Sequence, residues 1–380
     1  MRSVLALVAI ALAVASPMAA AAYPRAGEQS PPHPPAKGKG DHYHHEHKRI
    51  TKVPKKRQYV KVADLEIMNF ALTLELMESS FFSQGVNRFK REDFETWPKM
   101  YEHLQSIASQ ESDHVKALKK ALGDHAVSAC EYDFGESLNS AEDFVYTSLI
   151  LETVGASTYL GATPLLSTPE LIEASGSILV NEARHGTFLS ESLGLNGYST
   201  SFETALNYKQ AWTLAYNMIK IDKCAGVKNK LLPDDLNPFP ALTIVKPEAS
   251  KGFPFVVSKG STLVLQFSGL PVSNDANDAA VPNDANDAAV PNDANDDSAA
   301  KAPKGKMAPK SKMAPKEYYA AFLNNGVTTY VPLEPVKSGA NWQVQAPTNV
   351  RGSTYVMVTT SENSLSNNNT VAGPAIKFFY

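Results

Sequence analysis

From Val62 to about Cys224, apolar residues recur at the three-to-four spacing of helices that bury one face. Leu65, Met68, Leu72, Leu76 and Phe82 mark a first helix that ends near Gly85. A second is predicted to open at Trp97-Pro98, since proline suits a first helical position, and to run to Gly123. Ser140-Ala-Glu-Asp143 reads as a capped start for a third, which continues to about Gly161. Thr168-Pro169-Glu170 combines an N-cap, an N1 proline and a first-turn acid, and opens a fourth that closes at Gly194. A shorter fifth helix is expected from Phe202 to Ile221. Four long helices with connections of unequal length describe a bundle, assigned to residues 59–225.

After about Asp234 the period changes. Ala241–Val245, Ser261–Phe267, Gly326–Pro332 and Thr354–Thr359 are short, rich in Val, Thr and aromatics, and divided by turn residues. Residues 226–380 are therefore read as a separate, small β-sandwich-like domain. Residues 272–316 interrupt it with a nine-residue repeat, NDANDAAVP, and then basic KMAPKS-like units. Such a segment has little apolar area to bury and is expected to be a disordered insert between two strands.

Composition narrows the class. The 380 residues allow two cores, and a net charge of −3 gives no reason to expect nucleic acid or an anionic membrane as partner. Residues 1–22 hold Arg2, a short apolar run and an Ala-rich stretch, the pattern of a secretory signal. The run from Val4 to Ala15 is too short to cross a bilayer comfortably, and no later stretch is long and apolar enough for a membrane helix. Residues 23–58 form a Pro-, Lys- and His-rich arm without periodicity, read as disordered and as a possible pro-segment, given the dibasic pairs Lys48-Arg49 and Lys56-Arg57. His42, His44, His45 and His47 in it read as a solvated linker before a metal site. Secretion into an extracellular or cell-wall setting makes a Cys130–Cys224 disulfide the expectation, with two buried thiols as the alternative. Asn368-Asn369-Thr370 is a glycosylation sequon with Asn368 as acceptor.

The chemistry lies in four pieces of the helical region: LTLELMESSFF with Glu75, SQESDHVKAL with Glu111 and His114, LILETVGASTYL with Glu152, and VNEARHGTFL with Glu182 and His185. Each predicted helix contributes one piece. Glu-x-x-His places both side chains on one helix face, aimed at a common point. A lone Glu from two helices plus Glu-x-x-His from the other two is the ligand set of ferritin-like di-iron and di-manganese bundles. Four converging carboxylates would repel one another unless protonated or neutralised, and two divalent ions balance them. The mixed imidazole and carboxylate donors suit iron, manganese or zinc better than calcium or magnesium, with iron first and manganese second. Glu78, one turn after Glu75, could replace it or support it. An echo between the halves favours Glu75: Glu75 aligns with Glu152, Phe82 with Tyr159, and Glu78 falls opposite Gly155. Tyr159 is either a core aromatic or a neighbour that supports the ligands. The neighbours Leu72, Leu74, Leu76, Leu149, Leu151, Leu179 and Val180 set the acids in apolar segments.

At these residues the chain resembles a known family. LEIMNFALTLELMESSFF, SQESDHVKAL, ETVGASTYLGATPLL and ILVNEARHGTFL are similar to the ferritin-like domain of fungal stress-response and sexual-development proteins, shared by plant desiccation-related proteins. The resemblance covers roughly residues 60–225 and implies a ferritin-like four-helix bundle with ligand positions Glu75, Glu111, His114, Glu152, Glu182 and His185. It implies neither an iron-storage shell nor a defined reaction. Two functions follow as expectations: redox chemistry with oxygen or peroxide at a dinuclear centre, or a non-enzymatic secreted protein of stress, development or the cell wall. In the second, the bundle is scaffold and the C-terminal domain meets an extracellular partner.

Overall fold

The computed structural model describes residues 61–224, 232–233, 236–246, 256–267, 317–336 and 341–379. The signal-like residues 1–22, the arm 23–58 with its histidines and basic pairs, and the insert 272–316 lie outside the described residues.

Four long helices form the bundle: α1 (Val62–Arg88), α2 (Met100–Leu122), α3 (Ala141–Ala162) and α4 (Pro169–Ser192). α1 packs chiefly on α2, and α3 on α4. In α2 the buried residues Met100, Leu104, Ile107, Glu111, Val115, Leu118 and Leu122 repeat every three or four positions, so Glu111 stands within the apolar stripe. α3 is buried on nearly all sides, the mark of a central helix. Its cap forms as the sequence predicts, with Ser140 Oγ accepting from Asp143 N, and Thr168 Oγ1 accepts from Leu171 N at the head of α4. Two polar clasps fix the helix ends. Asp64 at the start of α1 accepts from Ser167 N and Ser167 Oγ before α4, and Asn69 holds His125 O and Val127 N beyond α2.

Two boundaries differ from the sequence reading. α2 starts at Met100 because Lys99, in a left-handed conformation (φ 63°), breaks the chain between Pro98 and the helix. The fifth helix, α5 (Tyr208–Ala215), is much shorter than expected: Asn207 caps it, and the chain then turns into a strand. That strand, β2 (Ile219–Lys220), pairs with β1 (Glu131–Tyr132) and brings Cys130 and Cys224 together in a disulfide. The link closes a separation of 94 residues that includes α3, α4 and α5.

The C-terminal region is a two-sheet sandwich. One sheet has the order β4-β11-β10-β6-β7, from Val256–Val257, Thr370–Phe379, Gly352–Thr359, Tyr319–Asn324 and Val327–Pro332. The other has β3-β5-β9-β8, from Leu242–Lys246, Thr262–Phe267, Asn341–Gln345 and Glu334–Pro335. Pairing is antiparallel except between β4 and β11. Leu263, Leu265, Val344, Phe322, Val356, Val358 and Ala372 fill the space between the sheets. β10 is buried on both faces. Val356 and Val358 face the sandwich core, while Tyr355 and Met357 point the other way, the alternation of a strand. Tyr355 Oη donates to Thr153 O (3.2 Å) and meets the Ser157 hydroxyl at 2.8 Å on α3, and Gln210 of α5 contacts Met357 Sδ. Bundle and sandwich thus belong to one compact unit spanning Val60–Tyr380.

Among the described residues, no helix is long and apolar enough to cross a membrane.

Candidate metal centre

All six sequence-selected residues converge at mid-bundle. Glu75, Glu111, His114 and Glu182 each offer one ligand atom within 4.8 Å of the others, and Glu111, Glu152, Glu182 and His185 do the same. The two groups share Glu111 and Glu182. Two adjacent positions are therefore defined, with Glu75 and His114 at one, Glu152 and His185 at the other, and two carboxylates between. His114 Nδ1 lies 3.2 Å from Glu111, 3.3 Å from Glu75 and 3.3 Å from Glu182. His185 Nδ1 lies 3.0 Å from Glu152 and 3.4 Å from Glu111.

The far side of each imidazole is held across the bundle. His114 Nε2 donates to Asn181 Oδ1 at 3.1 Å, and His185 Nε2 donates to Gln110 Oε1 at 2.6 Å. Asn181 Nδ2 donates to Gln110 Oε1 and closes the pair. Each amide stands one residue before the Glu of one Glu-x-x-His and orients the histidine of the other. Fixing the Nε2 protons leaves both Nδ1 atoms facing the carboxylates, the arrangement that directs an imidazole lone pair at a metal. The sequence reading missed this clamp. Its signal was present, because QESDH and NEARH carry an amide at matching positions.

Glu78 and Tyr159 also join the site. Tyr159 Oη donates to Glu75 Oε1 at 2.5 Å, deep in the core, so it is both a core aromatic and a partner of the centre. Glu78 is buried, and its Oε1 lies 3.4 Å from where a Cβ on Gly155 would stand. Such a Cβ would also fall 2.6 Å from Glu182 Oε2. The missing side chain at Gly155 is what admits both carboxylates. Val180 departs from expectation: it is 56% exposed and gives the centre no apolar cover.

Electrostatics set the terms for any occupant. Burial pushes Glu75 up to about 7, with the His114 hydrogen bond opposing. Burial first, and then neighbouring carboxylates, hold Glu78, Glu152 and Glu182 well above the usual range. Burial also opposes ionisation of Glu111, but hydrogen bonds from His114 and His185 outweigh it and bring Glu111 down to about 2. For His114, burial is outweighed by hydrogen bonds to Glu111, Glu182 and Glu75, which favour its protonated form. Even so, one Nδ1–H cannot serve several carboxylates at once: Glu75 Oε2, Glu182 Oε1 and Glu111 Oε1 have only a long, shared contact with an imidazole, and Glu152 Oε1 and Glu182 Oε2 are buried without a hydrogen-bond partner. Buried acceptors that share or lack a donor are costly, and such oxygens converging on two adjacent positions fit cations there. The donor set thus fits metal ions.

His103, elsewhere on α2, packs on Phe188 and takes no part. Asn368 is exposed, in a turn just before β11.

This arrangement defines the class of the helical region. Residues 63–195 match the model of the ferritin-like domain, and that segment is a ferritin-like domain, in line with the resemblance to fungal stress proteins. The chain is also 28% identical over 194 residues to Protein rds1 of Schizosaccharomyces pombe, an alignment covering 50% of this chain and 46% of that protein. The chain therefore spans about half the length of the curated relative it matches.

Proposed function

We propose that the chain is a secreted ferritin-like protein that binds two ions of iron, or of manganese, and uses them in redox chemistry with oxygen or peroxide. The observation that carries this reading is the pair of overlapping ligand sets, with buried carboxylate oxygens that share an imidazole contact or have no partner. Glu75 and His114 would hold one ion, Glu152 and His185 the other, and Glu111 and Glu182 would serve both. When bound, such ions supply one-electron redox steps and open positions for a small oxygen species. The chain contributes the rest. Gln110 and Asn181 fix the imidazoles, Tyr159 keeps a hydroxyl proton on Glu75 Oε1, and the buried Leu72, Leu74, Leu149 and Leu151 exclude bulk water. Glu78 places a further carboxylate beside Glu182, where it can hold a proton near the centre. Secretion is supported by the signal-like residues 1–22 and by a disulfide that suits an oxidising compartment.

The test is metal content of the native secreted protein together with its optical or EPR spectrum. Glu111→Ala and Glu182→Ala should each lose nearly all metal, because both positions need these groups. Glu75→Ala and Glu152→Ala should each retain about one ion in place of about two. A protein that stays metal-free when offered iron or manganese would sink the reading.

A further inference from the structure

A cavity of about 60 Å³ lies where α3, α4, the loop 195–203 and the ends of β10 and β11 meet. It is large enough to hold water. Its inner end reaches Glu152 and Glu182. Glu182 is fully buried, with Oε2 unpartnered and Oε1 facing only His114 Nδ1 at 3.3 Å, and Glu152 Oε1 is unpartnered. Glu203 stands exposed at the cavity's edge. Three carboxylates therefore line this space, and no Lys, Arg or His does.

The intervening polar groups have the same sense. Thr153 Oγ1 donates to Leu149 O, and Thr187 Oγ1 donates to Ala183 O. With their protons engaged by helix carbonyls, these hydroxyls present lone pairs to the cavity. An acceptor-rich wall with acids at both ends suits a cation that sheds its water stepwise. The outer wall comes from the sandwich, through Gly352, Ser353, Phe378 and Phe379. Gly352, at φ 60°, lets the head of β10 press against Ser199 of the loop, since an added Cβ would overlap the Ser199 hydroxyl.

We propose that this cavity is the entry route for divalent cations, with Glu203 capturing the ion at the mouth and the β-sandwich forming the outer wall. The proposal rests on the reading of the bundle centre as a metal site. It gives the sandwich a role at that centre, although the sandwich lies outside the matched domain of residues 63–195.

The experiment mixes the full metal-free chain with Co²⁺ and follows loading by the cobalt ligand-field absorbance, with final content measured by elemental analysis. Glu203→Gln should slow loading about tenfold at low ionic strength, with the difference shrinking as salt is added. Ser353→Phe, which fills the cavity from the sandwich side, should slow it at all salt concentrations, whereas Ser353→Ala should load at the normal rate. Asn196→Trp obstructs the mouth from an exposed loop position and gives the same readout should Ser353→Phe not fold. All variants should reach the unaltered chain's final content, since no proposed ligand is changed. Normal loading rates in Glu203→Gln and both obstructed variants, with full final content, would overturn the route and leave the metal site intact. An unaltered chain that takes up no cobalt at equilibrium would instead overturn the underlying reading.

Discussion

At the scale of residues, the centre is a near-symmetric frame with two deliberate asymmetries. Gln110 and Asn181 serve the two histidines reciprocally, so the halves are matched there. They are unmatched where Glu78 faces Gly155, and where Tyr159 has Phe82 as its counterpart in the other half. Tyr159 thus gives the Glu75 position a hydrogen bond that Phe82 has no hydroxyl to provide for Glu152. A hydrogen-bonded carboxylate is oriented before the ion arrives, so Tyr159→Phe should weaken metal binding about 10–100-fold. The loss should concentrate in one of two binding steps, which a calorimetric or competition titration resolves; equal weakening of both steps would contradict the assignment of Tyr159 to Glu75 alone. The cluster of carboxylates and imidazoles was legible in the sequence because Glu-x-x-His appears twice and a lone Glu twice, each in its own helix. Glu78 was harder to place. Three residues from Glu75 it shares that face, and only the packing against Gly155 shows that both acids are accommodated.

At the scale of elements, side-chain caps were the legible signals and backbone conformation was not. Ser140 and Thr168 do what their identities predict. The left-handed Lys99 moved the start of α2 beyond Pro98, and nothing in its side chain announces that conformation. β6 and β11 are hard to read from hydropathy for a different reason. Their inward and outward faces are both buried, so the polar alternation that marks a half-exposed strand is absent from YAAFLN and TVAGPAIKFF. Close approach of elements also hid in single glycines. An alanine Cβ at Gly161 of α3 would overlap the carbonyl of Leu206, whose amide donates to Ser157 O at 3.0 Å. The obstacle is backbone and cannot rotate away, so the segment entering α5 would have to shift. Gly161→Ala should cost about 1–3 kcal/mol in chemical denaturation, despite alanine's better helix propensity. A stabilised protein would show that the segment before α5 yields freely.

At the scale of the whole molecule, the buried acids of the centre couple folding to pH. Glu75 has its pKa raised from 4.5 to about 7, and Glu78, Glu152 and Glu182 are also raised well above the usual range by burial and mutual repulsion. Between the unfolded and folded values of such an acid, the folded state binds the extra proton, and stability falls as pH rises. His114 acts in the same direction: its folded value is raised, so its contribution is full below the unfolded value near 6.5 and is lost as pH climbs. Glu111, brought down to about 2, has the opposite sign, but its contribution changes only below about pH 4.5 and is constant above it. The metal-free protein should therefore lose thermal stability steadily from pH 5 to pH 8. Saturating Mn²⁺ should reverse that slope, because the ions replace the protons and bind more tightly as the acids ionise. Glu78→Gln, which removes one buried acid outside the proposed ligand set, should make the metal-free slope shallower while leaving about two ions bound. Melting temperatures measured across this range, with and without Mn²⁺, decide the matter: a metal-free protein whose melting temperature rises toward pH 8 would show that these carboxylates are ionised and solvated in the bundle.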